Sequence, residues 1–143
     1  MVNFTVAIPT YNSGDCLHHI LEALRTQADL AGITWEVIVA DNNSNDDTAK
    51  VVSQYQEKWP NTSQLKYLFE PTQGAGFARN SAAKAAKGEL IGFLDDDVIP
   101  RLTGYHRHTG LVRTSLKQAS SAAKYTATSQ CRPPKTSDEF KDF

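Results

Sequence analysis

The chain has 143 residues, 40% hydrophobic and 22% charged, with a formal net charge of −1, the make-up of one ordinary soluble domain with a modest core. No apolar run approaches the roughly 20 residues needed to cross a bilayer, and MVNFTVAIPT lacks the basic start and long apolar stretch of a secretion signal. Cys16 and Cys131 make no disulfide framework, so a cytoplasmic setting is expected.

In chain order, FTVAIP (Phe4–Pro9) is a short β-branched run that predicts a buried strand. Asp15 to Ala28 places Leu17, Ile20, Leu21 and Leu24 at helical spacing, with Ser13 or Asp15 able to cap the first turn. WEVIVA (Trp35–Ala40) predicts a second strand. DNNSNDD then supplies turn chemistry, with Ser44 or Asn45 as the expected cap of a helix running to about Lys58. Asp46 and Asp47 complement that helix's dipole, and Pro60 stops it. LKYLF (Leu65–Phe69) predicts a third strand, Gly76 to Lys87 an alanine-rich helix closed by Gly88, and LIGFL (Leu90–Leu94) a fourth strand.

The order β-α-β-α-β-α-β with nearly continuous apolar strands predicts an α/β fold, a parallel sheet with helices on both faces. In such sheets ligands gather beyond the carboxyl ends of the strands. Unusual polar residues stand there: Pro9-Thr10-Tyr11-Asn12, Asp41-Asn42-Asn43 and Asp95-Asp96-Asp97. Three carboxylates in one turn suit Mg2+ or Mn2+, hard cations that a protein holds through one or two carboxylates plus substrate phosphates; on their own they also fit a solvated acidic turn. Asp41 could accept hydrogen bonds from a ribose or base, or act as an ordinary turn residue. Arg79 could meet a base or phosphates, or form a surface salt bridge. Tyr11 could stack on a base or be structural. Gly74-Ala75-Gly76 imitates part of a dinucleotide-binding fingerprint, but it follows the third strand and Arg79 replaces the last glycine, so it is set aside. His18 and His19 read as surface residues, and His106 and His108 lack the further ligands of a zinc site.

Together VAIPTYN, EVIVADNNSNDDT and GAGFARNSAAKAAKGELIGFLDDD resemble the nucleotide-sugar half of family 2 glycosyltransferases, which have the Rossmann-like GT-A fold. The resemblance runs from about Asn3 to Pro100 and implies metal-dependent, inverting transfer of a sugar from a nucleoside-diphosphate sugar, most often a UDP-sugar, to an acceptor saccharide or lipid. It implies that Asp41, Tyr11 and Thr10 hold the nucleoside and that Arg79 flanks base or phosphates. It makes Asp95 and Asp97 the acidic positions of the DxD motif, one on the ribose and the other, Asp97 in the first place, on a Mn2+ or Mg2+ ion.

The pattern stops at Pro100. Residues 1–100 hold 7 Lys and Arg against 13 Asp and Glu, residues 101–143 hold 8 against 3. This predicts an incomplete nucleotide-sugar-binding domain at 1–100 and an irregular basic tail at 101–143. In the tail Leu111, Val112 and Leu116 offer few contacts, and the acids Asp138, Glu139 and Asp142 stand in no context that marks a general base. Two origins for the tail are open. It is a basic arm for nucleic acid or an anionic surface, nucleic acid being the less favoured partner. Alternatively it follows a reading-frame shift, since a one-base step at Arg101 permits codons for Gln-Ala-Asp-Trp-Val, which would continue the family pattern. On either origin the chain's own transferase activity is expected to be weak or absent, leaving an inactive nucleotide-diphosphate-binding fragment as the alternative, and the fourth strand is expected to show apolar surface or an open edge.

Overall fold

A computed structural model describes residues 1–26 and 32–97. Seven elements alternate: β1 (Val2–Thr10), α1 (Gly14–Arg25), β2 (Trp35–Asp41), α2 (Thr48–Glu57), β3 (Ser63–Phe69), α3 (Ala75–Ala85) and β4 (Gly88–Phe93). All strand pairs are parallel, in the order β3-β2-β1-β4. The expected tail at 101–143, with its histidines and acids, lies outside the described residues.

The side-chain period of two sorts the core into two layers. On one face Ile8, Val37, Val39 and Leu65 pack against Leu17, Ile20, Leu21 and Leu24 of α1 and Val52 and Tyr55 of α2. On the other, Ala7, Ile38 and Ala40 pack against Ala78 and Ala82 of α3. Helices therefore cover both faces, as the continuous apolar strands predict. The last strand is thinly covered. Ile91 and Phe93 share the α3 face, by their register with Thr5 and Ala7, and are 38% and 43% exposed. The expected apolar surface is thus present among the described residues.

The chain leaves β1 toward β2 and β3, then crosses back to lay β4 on the other side of β1. The switch point of this doubly wound sheet therefore falls between β1 and β4, where open sheets of this type leave a crevice at their carboxyl ends.

Several boundaries differ from expectation for tertiary reasons. Gly88 does not close α3; it opens β4, and a Cβ there would lie 2.6 Å from the Thr5 amide nitrogen. Neither Ser44 nor Asn45 caps α2, which begins at Thr48 after Asp47, and neither Ser13 nor Asp15 gives α1 a side-chain cap. Asp46 serves both helices instead. Its Oδ2 accepts from the Gly14 amide at 3.0 Å, and its Oδ1 accepts from the Thr48 amide at 3.0 Å and from the Thr48 hydroxyl. Burial would raise the Asp46 carboxyl, but these hydrogen bonds from Thr48 and Gly14 outweigh it and hold it below the ordinary range. His18 is exposed but not isolated: its ring meets the Tyr55 ring edge-on at 5.1 Å.

A second polar cluster lies at the amino end of the sheet. Glu36, fully buried on β2, accepts from the Thr5 hydroxyl at 2.8 Å, from the Lys87 amide at 2.6 Å and from the Lys66 ammonium. Thr5 Oγ1 in turn accepts from the Gly88 amide at 3.0 Å. Burial would push the Glu36 carboxyl up, but the Lys66, Lys87 and Thr5 donors outweigh it and hold it low. One carboxylate thus joins β1, β2 and β3 to the residue that leads into β4, at the end opposite the switch point.

Candidate active site at the carboxyl edge

Four strand ends meet at this edge, and backbone hydrogen bonds align them. The Asn42 amide donates to Thr10 O at 2.9 Å, the Glu70 amide to Asp41 O at 2.8 Å and the Leu94 amide to Ala7 O at 2.9 Å. The turns after β1 and β2 each use an asparagine at positive φ, Asn12 at 48° and Asn43 at 62°, a conformation asparagine tolerates better than most residues. The Asn12 amide donates to the Ser44 hydroxyl at 2.9 Å, and the Asn45 amide donates to Asn12 Oδ1 at 2.8 Å, so the two turns brace each other.

Asp41 is the last residue of β2, in register with Thr10, and is 1% exposed. Its Oδ1 accepts from the Ser44 amide at 2.9 Å and its Oδ2 from the Tyr67 hydroxyl at 2.6 Å. Burial, then the bond to Asp41 and its charge, push the Tyr67 hydroxyl far above its ordinary range, so it stays protonated and donating. Each carboxylate oxygen keeps a second lone pair, so Asp41 retains acceptor capacity.

The three aspartates after β4 divide their contacts. Asp96, half-buried, takes three donors on Oδ2: the Thr10 hydroxyl at 3.0 Å, the Tyr11 amide at 3.2 Å and the Ser13 hydroxyl. Asp95, with a side chain 62% exposed, accepts from Arg79 Nη2 at 3.1 Å; the Arg79 side chain is itself 46% exposed. Asp97 makes no hydrogen bond or ion pair among the described residues. Thr10 and Tyr11 are thus tied to the aspartate turn, Arg79 reaches it from α3, and Asp41 stands in register beside Thr10.

The rim also holds residues to which the motifs assign no role, Asn42 and Tyr67. Asn42, 4% exposed, donates through Nδ2 to Thr72 O at 2.6 Å and accepts on Oδ1 from the Gly74 amide at 2.7 Å. It fixes the loop leading into α3, which carries Arg79. Gly74, at φ 134°, is the residue before α3, so GAG makes a helix start here. The Asn42 signal was a polar residue directly after a buried apolar strand. Tyr67 gave a fainter one, a hydroxyl inside a strand whose neighbours are apolar.

The donor chemistry suits a hard cation: carboxylate oxygens, with no thiolate or imidazole in the turn. Among the described residues no three His, Cys, Asp or Glu side chains group into a complete metal cage. Two carboxylates that leave the remaining coordination to phosphate oxygens and water fit how Mg2+ and Mn2+ are usually held.

Residues 5–103 match the family Glycosyl transferase family 2, and the chain belongs to it. Over 97 residues it is 36% identical to the poly(ribitol-phosphate) beta-N-acetylglucosaminyltransferase TarS of Staphylococcus aureus, covering 68% of this chain and 16% of that protein. The crystal structure of S. aureus TarS 1-349 in complex with UDP-GlcNAc superimposes with a TM-score of 0.60 at 30% identity, over 83% of this chain and 30% of that one. The mannosyltransferase PcManGT of Pyrobaculum calidifontis, in complex with GDP-Man and Mn2+, gives a TM-score of 0.60 at 28% identity, over 68% of this chain and 28% of that one. The described residues therefore have the GT-A-like α/β fold of a family 2 glycosyltransferase. The chain spans well under half the length of the relatives it matches. No described helix is long and apolar enough to cross a membrane.

Proposed function

We propose that this chain is the donor-binding part of a sugar transferase, taking a nucleoside-diphosphate sugar, in the first place a UDP-sugar, at the carboxyl edge of β1, β2 and β4. In this reading Thr10, Tyr11 and Asp41 hold the nucleoside, Asp95 meets the ribose and Arg79 lies against base or phosphates. Asp97, with Asp95 beside it, would hold a Mn2+ or Mg2+ ion, and the bound ion would supply positive charge to a departing diphosphate. The observation that carries the reading is the tie across the switch point: Thr10 and Tyr11 share hydrogen bonds with the turn that bears Asp95 and Asp97. TarS complexes with UDP and with UDP-GlcNAc, and the Mn2+ in PcManGT, support it.

Arg79 makes chemical sense beside Asp95. Their exposed pair holds the guanidinium at the rim at little energetic expense, so an incoming phosphate can take it over. Asp41, an acceptor fixed by Tyr67 and Ser44, suits an N–H or O–H donor of the nucleoside. The general base that would deprotonate the acceptor, and the acceptor itself, are assigned to no described residue. The proposal treats 1–100 as the donor domain, places it in the cytoplasm and expects transfer by this chain alone to be weak or absent. A role through the basic tail draws on residues outside those described.

Titration of the full chain with UDP, with and without Mn2+, tests the proposal. Binding that Mn2+ tightens at least about tenfold, with the gain abolished by Asp97→Ala, is expected; absence of UDP binding at any Mn2+ concentration sinks it.

A further inference from the structure

We infer that Asp96, the middle aspartate, is a positioning residue that clamps the loop bearing Thr10 and Tyr11 to the turn bearing Asp95 and Asp97, making one preassembled unit of the nucleoside and cation groups. The inference rests on the donor-binding reading above.

The geometry is specific to this side chain. A single oxygen, Asp96 Oδ2, accepts from Thr10 Oγ1, Tyr11 N and Ser13 Oγ, three donors within four residues that lie 83 to 86 positions away in sequence. Asp95 and Asp97, its chain neighbours, take no part in this contact. The clamp closes across the β1–β4 switch point, where β1 is paired with β4 only as far as Ala7 and Phe93. Past that pair and the bond from the Leu94 amide to Ala7 O the ladder does not continue, and Asp96 reconnects the two segments. Hydrogen bonds to a charged acceptor are roughly twice as strong as neutral ones, and three on one oxygen fix both partners. The segment so held includes Asn12 at positive φ, a bend that a loosened loop would leave readily.

A group that orders the site before any ligand arrives predicts a pattern unlike that of a cation ligand. Asp97→Ala should remove only the gain in UDP affinity that Mn2+ confers. Asp96→Ala should weaken UDP binding about tenfold both with and without Mn2+. Asp96→Asn keeps an acceptor oxygen and should recover affinity to within about threefold of wild type. Hydrogen exchange at the Tyr11 amide, measured without ligand, reads the clamp directly: faster in Asp96→Ala, restored in Asp96→Asn.

Should Asp96→Ala not fold, Ser13→Ala decides, since it removes one donor of three: faster Tyr11 exchange with weaker UDP binding supports the clamp, and no change in either overturns it. Tyr11 exchange as in wild type, or UDP affinity within twofold of wild type, in folded Asp96→Ala also overturns it. Wild type that binds no UDP at all overturns the donor reading and this role with it; wild type that binds UDP no better than Asp96→Ala overturns this role alone.

Discussion

The Tyr67 hydroxyl donates to the buried Asp41 carboxylate at 2.6 Å, joining the middle of β3 to the carboxyl end of β2. Tyr67→Phe deletes that donor and leaves a buried acceptor short of a partner, which costs about 1–3 kcal/mol. The expected outcome is a lower urea midpoint with unchanged slope, together with weaker UDP binding because Asp41 loses one of its two anchors. An unchanged midpoint would show that water replaces the hydroxyl without loss.

Two glycines of β4 separate backbone crowding from side-chain crowding. At Gly88 an added Cβ would sit 2.6 Å from the Thr5 amide nitrogen, and neither strand can yield without breaking the ladder. At Gly92 it would meet the end of the Phe4 ring at 2.8 Å, and a ring can turn aside. Gly88→Ala is expected to destabilise by about 3 kcal/mol or more and Gly92→Ala by about 1–2 kcal/mol, in the range of overpacking. Thermal melting of the two variants checks the order.

Acid should act through Glu36. Its carboxyl is held below the ordinary 4.5 in the folded chain, by Lys66, Lys87 and Thr5 against the effect of burial. A carboxyl depressed by folding contributes stability that is present above its unfolded value and lost as pH falls through the folded one. Asp46 is shifted in the same direction. Stability should therefore hold above about pH 5 and decline below 4.5, with a shallower decline in Glu36→Gln. Lys66→Met leaves the Glu36 charge buried with two neutral donors, a loss of up to about 3–5 kcal/mol. Denaturant midpoints taken from pH 3 to 7 measure both effects.

Arg79 and Asp95 form an exposed pair, and such pairs contribute about 0–1 kcal/mol. Arg79→Ala should leave the melting temperature nearly unchanged while lowering UDP affinity about tenfold and flattening its dependence on salt. A variant that binds UDP as wild type does would confine Arg79 to the surface ion pair.

The strands were readable because FTVAIP and WEVIVA are apolar runs broken only by Thr5 and Glu36, and a sheet buried on both faces needs such nearly continuous runs. The candidate site was readable as composition, since Thr10, Tyr11, Asp41 and the three aspartates all stand at strand ends. Their division of labour was not. Whether Asp95, Asp96 or Asp97 turns toward β1 depends on how β4 ends beside a strand more than 80 residues earlier, and local pattern carries no such information. Gly88 was misread for the same reason: after an alanine-rich helix it looks like a stop, and its crowding by Thr5 exists only once β4 has docked. Glu36 and Lys66 were overlooked, although a lone acid in one buried strand and a lone base in another are a pairing signal. The parallel register sets Glu36 opposite Gln64 and Ile38 opposite Lys66, one step apart on the same face.

The strand order also sets a sequence of events in folding. β1, β2 and β3 are neighbours in both chain and sheet, whereas β4 reaches β1 only by closing a span such as the 83 residues between Thr5 and Gly88. Long closures carry the larger entropic penalty and come late. The three-stranded core can therefore consolidate before the acidic turn arrives, so a partly folded chain would have Thr10 and Asp41 at their strand ends but no aspartate turn beside them. A ligand that bridges β1 and β4 would then act chiefly on the last docking step, slowing the detachment of β4 more than it speeds the collapse of the rest.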